Sequence, residues 1–362
     1  MPRALFAVLA DAPGGAERVI ATAAAELAER PGWTVEVLSV ASRTPASFLD
    51  QVHPQVRVLY GKGRDSLSAM ASTLRTLSGV SHDLVFSSHF RLNVALASAR
   101  RLGWLKTQRL VTRESTVFAD RERGAKLAVY RTLYGLYGAQ DEVWAQTPYM
   151  AERLREVLGP GARAKIRVVP NPIDLTAVRE AAAASLPPPL ARVMAERPHI
   201  AWCGRLIPVK NPSLAVRALA AARLVSGEDL SLVMMGGGPE LEAVRSLAAE
   251  MGLQDRVVFT GAVANPHPVF AAARAGLVTS VREGFPNVLL EMMAAGAPYI
   301  VTTDCAGDLD SLAGVEVVHD HSAEAVGKAL TCAAWSDRRP LYGPSLDRRS
   351  PARFVDALVG TL

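Results

Sequence analysis

The sequence predicts an α/β protein with two parallel sheets. Short apolar runs alternate with helical segments along the chain, an arrangement typical of parallel strands joined by helical crossovers. The pattern begins with a strand at Ala4–Leu9 and begins again with a strand at His199–Cys203. The length of 362 residues also favours two domains over one. We therefore expect two Rossmann-like halves with ligand sites at the carboxyl ends of their strands.

Each strand is predicted from a run of aliphatic residues with turn-forming or polar residues at both ends. In the first half, strands are expected at Ala4–Leu9, Thr34–Val40, Val56–Leu59, Asp83–Phe86, Arg109–Thr112, Glu142–Ala145 and Ile166–Val169. In the second half, they are expected at His199–Cys203, Leu230–Met235, Val257–Thr260, Gly276–Thr279, Tyr299–Thr302 and Glu316–Val318. A helix is predicted near Ala16–Glu29, and the alanine- and proline-rich stretch Ala181–Leu190 is expected to be a surface excursion.

Composition excludes several other classes of protein. Hydrophobic residues make up 49% of the chain, yet no run of about 18 apolar residues suggests a membrane span. Met1-Pro-Arg leads directly into the first strand and acidic Asp11 follows, which is unlike a secretory signal, so we expect a cytoplasmic protein. The three cysteines form neither an even framework nor a metal-like cluster, and we expect free thiols at Cys203, Cys305 and Cys332.

Positive charge is concentrated in the first half. Up to Pro170 there are 23 Lys and Arg against 15 Asp and Glu, whereas the net charge of the whole chain is +5. Most of the excess comes from Arg91, Arg100, Arg101, Lys106, Arg109, Arg113, Arg121, Arg123, Lys126 and Arg131. Aromatic residues are interspersed at Trp104, Phe118, Tyr130, Tyr134 and Tyr137. This basic segment fits peripheral binding to anionic phospholipid, binding of a phosphorylated acceptor, or a solvated surface. No motif for nucleic-acid binding accompanies the charge.

The most informative segment is Glu283–Gly296, in which Glu283 and Glu291 lie eight positions apart around the start of a short helix. Pro286 suits the first turn of that helix and Gly296 suits its end. The helix dipole favours an anion at the first amides, which are expected to be unpaired at Asn287, Val288 and Leu289. A nucleotide-activated sugar fits this pattern, because it is anionic in its middle and carries hydroxyls at both ends.

Two cations follow the first strand of the second half, at Arg205 and Lys210. A leaving diphosphate gains negative charge as the glycosidic bond breaks, so fixed cations beside it lower the barrier. Arg can bind two oxygens with its planar guanidinium, and Lys acts as a compact charge. We therefore interpret both residues as a diphosphate clamp.

Five motifs in order resemble those of retaining glycosyltransferases of family 4, which have the GT-B fold. They are the E-x7-E segment above, Gly14-Gly-Ala-Glu-Arg-Val19, Val169-Pro-Asn-Pro-Ile-Asp174, Gly204-Arg-Leu-Ile-Pro-Val-Lys-Asn211 and Gly236-Gly-Gly-Pro239. The resemblance implies two parallel sheets that face an interdomain cleft. It implies an N-terminal acceptor-binding domain at 1–168, a nucleotide-sugar-binding domain at 169–345, and a last segment, 346–362, whose helix near Ala352–Val359 packs back on the N-terminal domain.

The resemblance also implies roles for individual residues. The expected catalytic residues are Glu283, Arg205, Lys210 and His89, with Glu283 binding donor-sugar hydroxyls and His89 lying near the C6 hydroxyl. The expected donor-binding residues are Gly14, Gly15, Gly204, Gly237, Val263, Phe285, Pro286, Asn287, Val288, Leu289 and Glu291, the last of which binds the ribose hydroxyls. The family's second histidine is missing, because the chain reads Thr112-Arg-Glu-Ser115 there. We expect Arg113 and Glu114 to line the acceptor side.

No metal or other cofactor is expected. Asp308-Leu-Asp310 has the spacing of a metal-binding motif of another glycosyltransferase fold, but we interpret it as a loop with a helix-capping Asp. His319-Asp-His321 places its two histidines too close together on a strand end to share one tetrahedral ion. Arg205, Lys210 and the helix start already balance the diphosphate charge.

The resemblance implies a metal-independent retaining glycosyltransferase (a hexosyltransferase) that moves a hexose or N-acetylhexosamine by front-face attack. The expected donor is a nucleotide-diphosphate sugar, with UDP favoured over GDP, and the expected acceptor is a cell-envelope glycan or a lipid-linked sugar at the inner face of the cytoplasmic membrane. Two alternatives stay open: transfer to a soluble small-molecule acceptor, and a nucleotide-sugar 2-epimerase of the same fold. An epimerase would turn over the nucleotide sugar without an added acceptor. A nicotinamide dehydrogenase is disfavoured because the first loop lacks G-x-G-x-x-G.

Overall fold

The computed structural model describes residues 1–12, 14–44, 47–62, 66–118, 124–163, 165–331 and 337–360. The chain divides into two compact units. The first unit contains Met1–Pro172 and Arg349–Leu362, and the second contains Ile173–Arg348. The chain therefore changes unit a few residues later than the sequence boundaries at 168 and 345. Cys332, Arg121 and Arg123 lie outside the described residues.

In the described part of the first unit, seven parallel strands form one sheet in the order β3-β2-β1-β4-β5-β6-β7. The strands are β1 Arg3–Val8, β2 Thr34–Ser39, β3 Arg57–Tyr60, β4 Ser81–Ser87, β5 Lys106–Arg113, β6 Glu142–Ala145 and β7 Ile166–Val168. The α-helices of this unit are Gly15–Ala28, Ser66–Ser78, Phe90–Arg101, Gly124–Tyr134, Pro148–Val157, Pro160–Arg163 and Pro351–Val359, and Leu49–Gln51 forms a 3-10 turn.

In the second unit, six parallel strands form a sheet in the order β10-β9-β8-β11-β12-β13 within the described residues. The strands are β8 His199–Cys203, β9 Ser231–Met235, β10 Val257–Gly261, β11 Ala275–Val278, β12 Ile300–Thr303 and β13 Val315–Val318. The α-helices are Leu175–Ala182, Pro188–Glu196, Pro212–Ser226, Leu241–Glu250, His267–Ala272, Asn287–Ala295, Ala323–Leu330 and Gly343–Asp347. Short 3-10 turns lie at Pro208–Lys210, Leu309–Ser311 and Arg339–Leu341.

The two parallel sheets confirm the predicted fold class, and every predicted strand is present with ends that shift by at most three residues. The largest shifts are in β4 and β5, which continue through polar residues that the apolar pattern could not include. Ala181–Leu190 is exposed or half-buried wherever its burial is described, which confirms the predicted surface excursion. It contains the end of one helix and the start of the next, because Pro188 occupies a first-turn position where its fixed φ and missing amide proton cost nothing.

Strand order reverses direction at the same place in both sheets. β1 lies between β2 and β4, and β8 lies between β9 and β11. Helices that leave two such neighbouring strands in opposite directions open a crevice at their carboxyl ends, where open sheets bind ligands. These ends carry the loops of Gly14, His89, Gly204 and Glu283.

The last helix completes the core of the first unit. Helix Pro351–Val359 packs against helix Gly15–Ala28 and buries Phe354 beneath the sheet. The ring centroid of Phe354 lies 5.1 Å from that of Trp144 and 5.9 Å from that of Phe86, both in edge-on arrangements. These aromatic contacts join a segment near the end of the chain to β4 and β6.

A buried polar network holds the carboxyl ends of β4, β5 and β6 together. Arg113 is 1% exposed and Glu114 is 0% exposed. The Arg113 guanidinium donates to Ser88 Oγ and to Asn171 Oδ1. The Glu114 carboxylate accepts from Tyr137 Oη and, at 2.7 Å, from Asn93 Nδ2. Burial lowers the pKa of Arg113 to about 9 and raises the pKa of Glu114 to about 7.

Replacing Phe354 with alanine is expected to lower the free energy of unfolding of the first unit by about 3–5 kcal/mol, because a buried ring is removed and its cavity collapses only in part. Urea unfolding followed by intrinsic tryptophan fluorescence, to which the buried Trp144 contributes, measures this change. Leu224→Ala is the control, since Leu224 is 87% exposed and its loss should change stability by less than about 0.5 kcal/mol. Equal unfolding midpoints for F354A and wild type would contradict the packing role.

Glu114→Gln is expected to flatten the pH dependence of stability. Because burial places the folded pKa of Glu114 near 7, above its ordinary 4.5, the native state retains a proton that the unfolded state releases. The free energy of unfolding should therefore fall as pH rises from about 5 to 7, by up to about 1.4 kcal/mol per pH unit. Urea midpoints at pH 5.5 and 8 measure the fall in wild type and in E114Q. The same fall in both proteins would show that Glu114 does not cause it.

Candidate functional site

Two glycine-containing loops pack backbone against backbone at the carboxyl ends of β8 and β9. Gly236 has φ +141° and Gly238 has φ +156°, a range that side chains disfavour. A Cβ on Gly236 would overlap the Gly204 carbonyl oxygen, and a Cβ on Gly238 would overlap the Leu206 carbonyl oxygen. The Leu206 amide donates to the Gly237 carbonyl at 2.9 Å. The predicted residues Gly204 and Gly237 thus lie side by side, and the space where a Gly237 side chain would stand is open.

Arg205 and Lys210 extend from the loop that follows Gly204. Arg205 is exposed, and within the described residues its guanidinium has no hydrogen bond or ion pair with the protein. Lys210 ends the 3-10 turn Pro208–Lys210, and the following Asn211 has a left-handed φ of 46°. The two predicted cations therefore differ in their surroundings: Arg205 is exposed to solvent, whereas Lys210 is paired with a carboxylate.

The partner of Lys210 is Glu283, the other principal residue of the sequence prediction. Lys210 Nζ contacts Glu283 Oε1, and Ser280 Oγ lies 2.8 Å from the same oxygen. The side chains of Lys210 and Glu283 are 23% and 17% exposed, so the pair is partly desolvated but reachable by a ligand. The Glu283 amide donates to the Cys305 carbonyl at 2.6 Å, which fixes the backbone of the loop.

The helix Asn287–Ala295 begins directly after this loop. Pro286 precedes the first helical residue, and Gly296 ends the helix with φ 86°. The expectation of an unpaired amide at Leu289 is wrong, because that amide donates to the Pro286 carbonyl at 3.0 Å. Phe285 and Leu289 are buried in the core of the unit, and Val288 and Val263 pack against the same core, so these side chains hold the helix start in place.

Glu291 is half-buried one turn further along this helix. Its Oε2 lies 3.9 Å from Nε2 of His267, and both side chains are largely shielded from solvent. His267 begins the helix His267–Ala272, which packs against the helix of Glu291. Sequence analysis did not single out His267, because a lone histidine after a proline carries no recognisable spacing.

In the first unit, the chain places its own carboxylate over the first glycine loop. Helix Gly15–Ala28 begins after Gly14, and a Cβ on Gly14 would overlap Oε2 of Glu17. Glu17 Oε1 lies 2.9 Å from Nε2 of His89, which precedes helix Phe90–Arg101. A carboxylate is favourable at a helix start because of the dipole. Glu17 thus contacts both predicted residues, Gly14 and His89. Its position in the first helical turn is the sequence signal that could have identified it. Gly15 is the first residue of the same helix.

Arg113 and Glu114 do not line a surface, and this expectation is wrong for direct contact with an acceptor. Both side chains lie in the buried network described above, where other protein groups bind their polar atoms. The pattern Thr112-Arg-Glu-Ser115 marked polar residues at a strand end but did not show that they point inward.

The basic segment is also less exposed than its composition suggests. Arg100 pairs with Asp141, and Arg109 Nη2 lies 2.8 Å from Glu142 Oε1. Phe118, Tyr130, Tyr134 and Tyr137 pack around Phe90 in a core cluster, so they form no aromatic surface. The exposed members of the segment include Arg91, Arg101, Lys106, Trp104, Lys126 and Arg131.

The two metal-like sequence patterns take other conformations. Asp308 precedes the 3-10 turn Leu309–Ser311 with a left-handed φ of 57°, and its side chain caps no amide there. His319 lies between Asp304 and Asp310 at 3.2 Å from each, and the hydrogen bond to Asp310 raises the pKa of His319. Among the described residues, no group of three or more His, Cys, Asp or Glu side chains has an arrangement that could hold a metal ion. In the same ranges, no helix is both long and apolar enough to cross a membrane.

Comparison with known proteins agrees with this architecture. The structure of Anabaena HepE in complex with UDP-glucose superposes with a TM-score of 0.79 over 99% of this chain and 98% of that chain, at 18% identity. At this identity the likeness shows the GT-B fold. Among curated relatives, lipopolysaccharide core biosynthesis glycosyltransferase LpsD of Rhizobium meliloti is 29% identical over 56% of this chain and 60% of its own length.

A second relative is the GDP-mannose-dependent alpha-(1-6)-phosphatidylinositol monomannoside mannosyltransferase of Mycobacterium tuberculosis, 34% identical over 44% of this chain and 43% of its own length. The alignments thus span about half the length of these two relatives. Two family models match successive parts of the chain: Glycosyltransferase Family 4 at residues 13–177 and Glycosyl transferases group 1 at residues 197–333. The chain therefore belongs to the group 1 glycosyltransferase family with the GT-B fold.

Proposed function

We propose that this chain transfers a sugar from a nucleoside-diphosphate sugar to an acceptor hydroxyl. The observation that carries the proposal is the arrangement at the end of β8. Arg205 is an exposed cation without a protein partner in the described residues, and Lys210 follows it on the same loop beside Glu283. A site that offers two cations and one carboxylate suits a ligand with both a diphosphate and free hydroxyls.

The cations are proposed to bind the diphosphate. Arg205 would bind two phosphate oxygens with its guanidinium, and Lys210 would exchange part of its contact with Glu283 for a phosphate oxygen. As the glycosidic bond breaks, negative charge grows on the leaving nucleoside diphosphate, and these fixed charges stabilise it. The start of helix Asn287–Ala295 adds a favourable dipole beside them.

The carboxylates are proposed to bind hydroxyls. Glu283 would accept hydrogen bonds from the transferred sugar, and Glu291 would accept them from the ribose. Glu283 Oε1 already accepts from Lys210 and Ser280, which lowers its nucleophilicity and suits a hydroxyl-binding role. This supports a retaining front-face reaction, in which the acceptor oxygen bonds to the anomeric carbon as the bond to the diphosphate breaks, and a phosphate oxygen takes the acceptor proton.

Donor and acceptor classes are proposed from the relatives. We favour a UDP-sugar over a GDP-sugar as donor. The Anabaena structure contains UDP-glucose, which agrees with this preference, whereas the mycobacterial relative is named for GDP-mannose. One curated relative is named for lipopolysaccharide core biosynthesis and the other for phosphatidylinositol monomannoside, so a cell-envelope glycan or glycolipid is the preferred acceptor. Exposed Arg91, Lys106, Lys126 and Arg131 with Trp104 would hold the enzyme on anionic lipid at the inner face of the cytoplasmic membrane.

Arg205→Ala and Lys210→Ala are each expected to reduce kcat at least tenfold, because each removes a charge that stabilises the leaving diphosphate. Release of UDP from UDP-sugars with an extract of cell-envelope acceptors measures the rate. Arg217→Ala, which removes an exposed arginine from helix Pro212–Ser226, is the matched control and should keep the wild-type rate.

A first screen is thermal shift with UDP- and GDP-sugars, because a ligand that binds the native state raises Tm. If neither set nor the free nucleoside diphosphates stabilise the wild-type protein, the proposed function is wrong.

The transfer is proposed to need no metal ion, because Arg205 and Lys210 supply the positive charge that a divalent cation provides elsewhere. Incubation with excess EDTA is expected to leave the rate of UDP release unchanged. A loss of rate that Mg²⁺ or Mn²⁺ restores would refute metal independence while leaving the transferase assignment intact.

A further inference from the structure

Two adjacent hydroxyl side chains at the end of β11 are tied to both members of the Lys210–Glu283 pair. Thr279 and Ser280 directly follow β11, and they are 1% and 2% exposed. Neighbouring side chains of an extended segment point in opposite directions. Thr279 can therefore reach the loop after β8 while Ser280 reaches forward to Glu283.

The threonine anchors the loop that carries Lys210. Thr279 Oγ1 lies 2.9 Å from the Lys210 carbonyl oxygen and 2.9 Å from Nε1 of Trp202. An indole nitrogen only donates, so the Thr279 hydroxyl accepts from Trp202 and gives its single proton to Lys210. The Val281 amide donates to the Val209 carbonyl at 2.9 Å, which adds a second link between the two loops.

The serine orients Glu283. Ser280 Oγ lies 2.8 Å from Glu283 Oε1, and a carboxylate only accepts, so the serine is the donor. The Ser280 carbonyl in turn accepts from Thr303 Oγ1 at 2.6 Å. Within the described residues, the Glu283 carboxylate has two side-chain donors, Lys210 and Ser280.

We propose that Thr279 and Ser280 are positioning residues for the sugar transfer. Thr279 fixes the backbone position of Lys210, and Ser280 fixes the orientation of the Glu283 carboxylate. The inference rests on the proposed function. When Lys210 turns toward the diphosphate, Ser280 is the protein donor that still holds Glu283 in place for the sugar hydroxyls. Ser280 thus affects binding of the sugar through Glu283, and Thr279 affects binding of the diphosphate through Lys210.

The two roles predict different kinetic signatures. Ser280→Ala is expected to lower kcat/KM for the nucleotide sugar about tenfold or more, the scale of one hydrogen bond to a charged group, with the Kd for the free nucleoside diphosphate within about twofold of wild type. Thr279→Val is expected to raise the Kd for the free nucleoside diphosphate several-fold, because the Lys210 loop loses its anchor. Ser280→Thr keeps the hydroxyl and should restore most of the rate.

Binding is measured by calorimetry with UDP or GDP, whichever stabilises the wild type more, and turnover by release of that nucleotide from its sugar donor. The matched control is Ser231→Ala. Ser231 is equally buried, and its hydroxyl donates to the Pro198 carbonyl at 3.3 Å. It lies at the amino end of β9, however, whereas Ser280 follows the carboxyl end of β11. S231A and S280A should therefore lower Tm by similar amounts, but only S280A should lower turnover.

The outcomes separate the inference from the function that it deepens. Loss of kcat/KM in S280A alone, with nucleotide binding retained and rescue by S280T, supports the proposal. Wild-type turnover in S280A, or an equal loss in S231A, overturns it while the transferase assignment stands. A wild-type protein that binds neither nucleotide removes the proposed function and this inference together.

Discussion

Close contact between two backbones is the constraint on which the candidate donor site depends. The loops after β8 and β9 can pack together only because Gly236 and Gly238 have φ values above +140° and carry no Cβ that would overlap the carbonyls of Gly204 and Leu206. This packing fixes the backbone between Gly204 and Lys210, and therefore the positions from which the side chains of Arg205 and Lys210 extend. A side chain at either glycine would force the loops apart and move Arg205 and Lys210 away from the helix start at Asn287.

The architecture could be predicted from sequence because strands and turns are local. Runs of aliphatic residues bounded by turn formers located every strand of both sheets, and the spacing of Glu283, Pro286 and Gly296 located the helix of the site. Partners could not be predicted in the same way. Lys210 and Glu283 meet only because β8 and β11 are neighbours in the sheet, and a sequence without a known strand order does not contain that information. For the same reason, the contact between Glu17 and His89 was missed.

Charge counted along a sequence overstates charge on a surface. The segment from Val85 to Arg131 is rich in Arg and Lys, but Arg113 is buried and Arg100 and Arg109 are neutralised by carboxylates on β6 or beside it. Its aromatic residues serve the core around Phe90. Burial converts Arg113 and Glu114 from recognition groups into a hydrogen-bonded support for the strand ends, where unpaired charges would be costly. The exposed charge of the segment is therefore limited to a smaller set of residues, which includes Arg91, Lys106, Lys126 and Arg131.

The return of the last helix to the first unit has a consequence for the order of folding during synthesis. The second unit is one continuous stretch of chain, Ile173–Arg348, so all of its strands emerge from the ribosome before residue 349. The core of the first unit lacks Phe354, Val355 and Leu358 until synthesis has passed the whole of the second unit. The first unit can therefore complete its core only after the second unit has been synthesised, and until then Phe86 and Trp144 lack their contacts with Phe354.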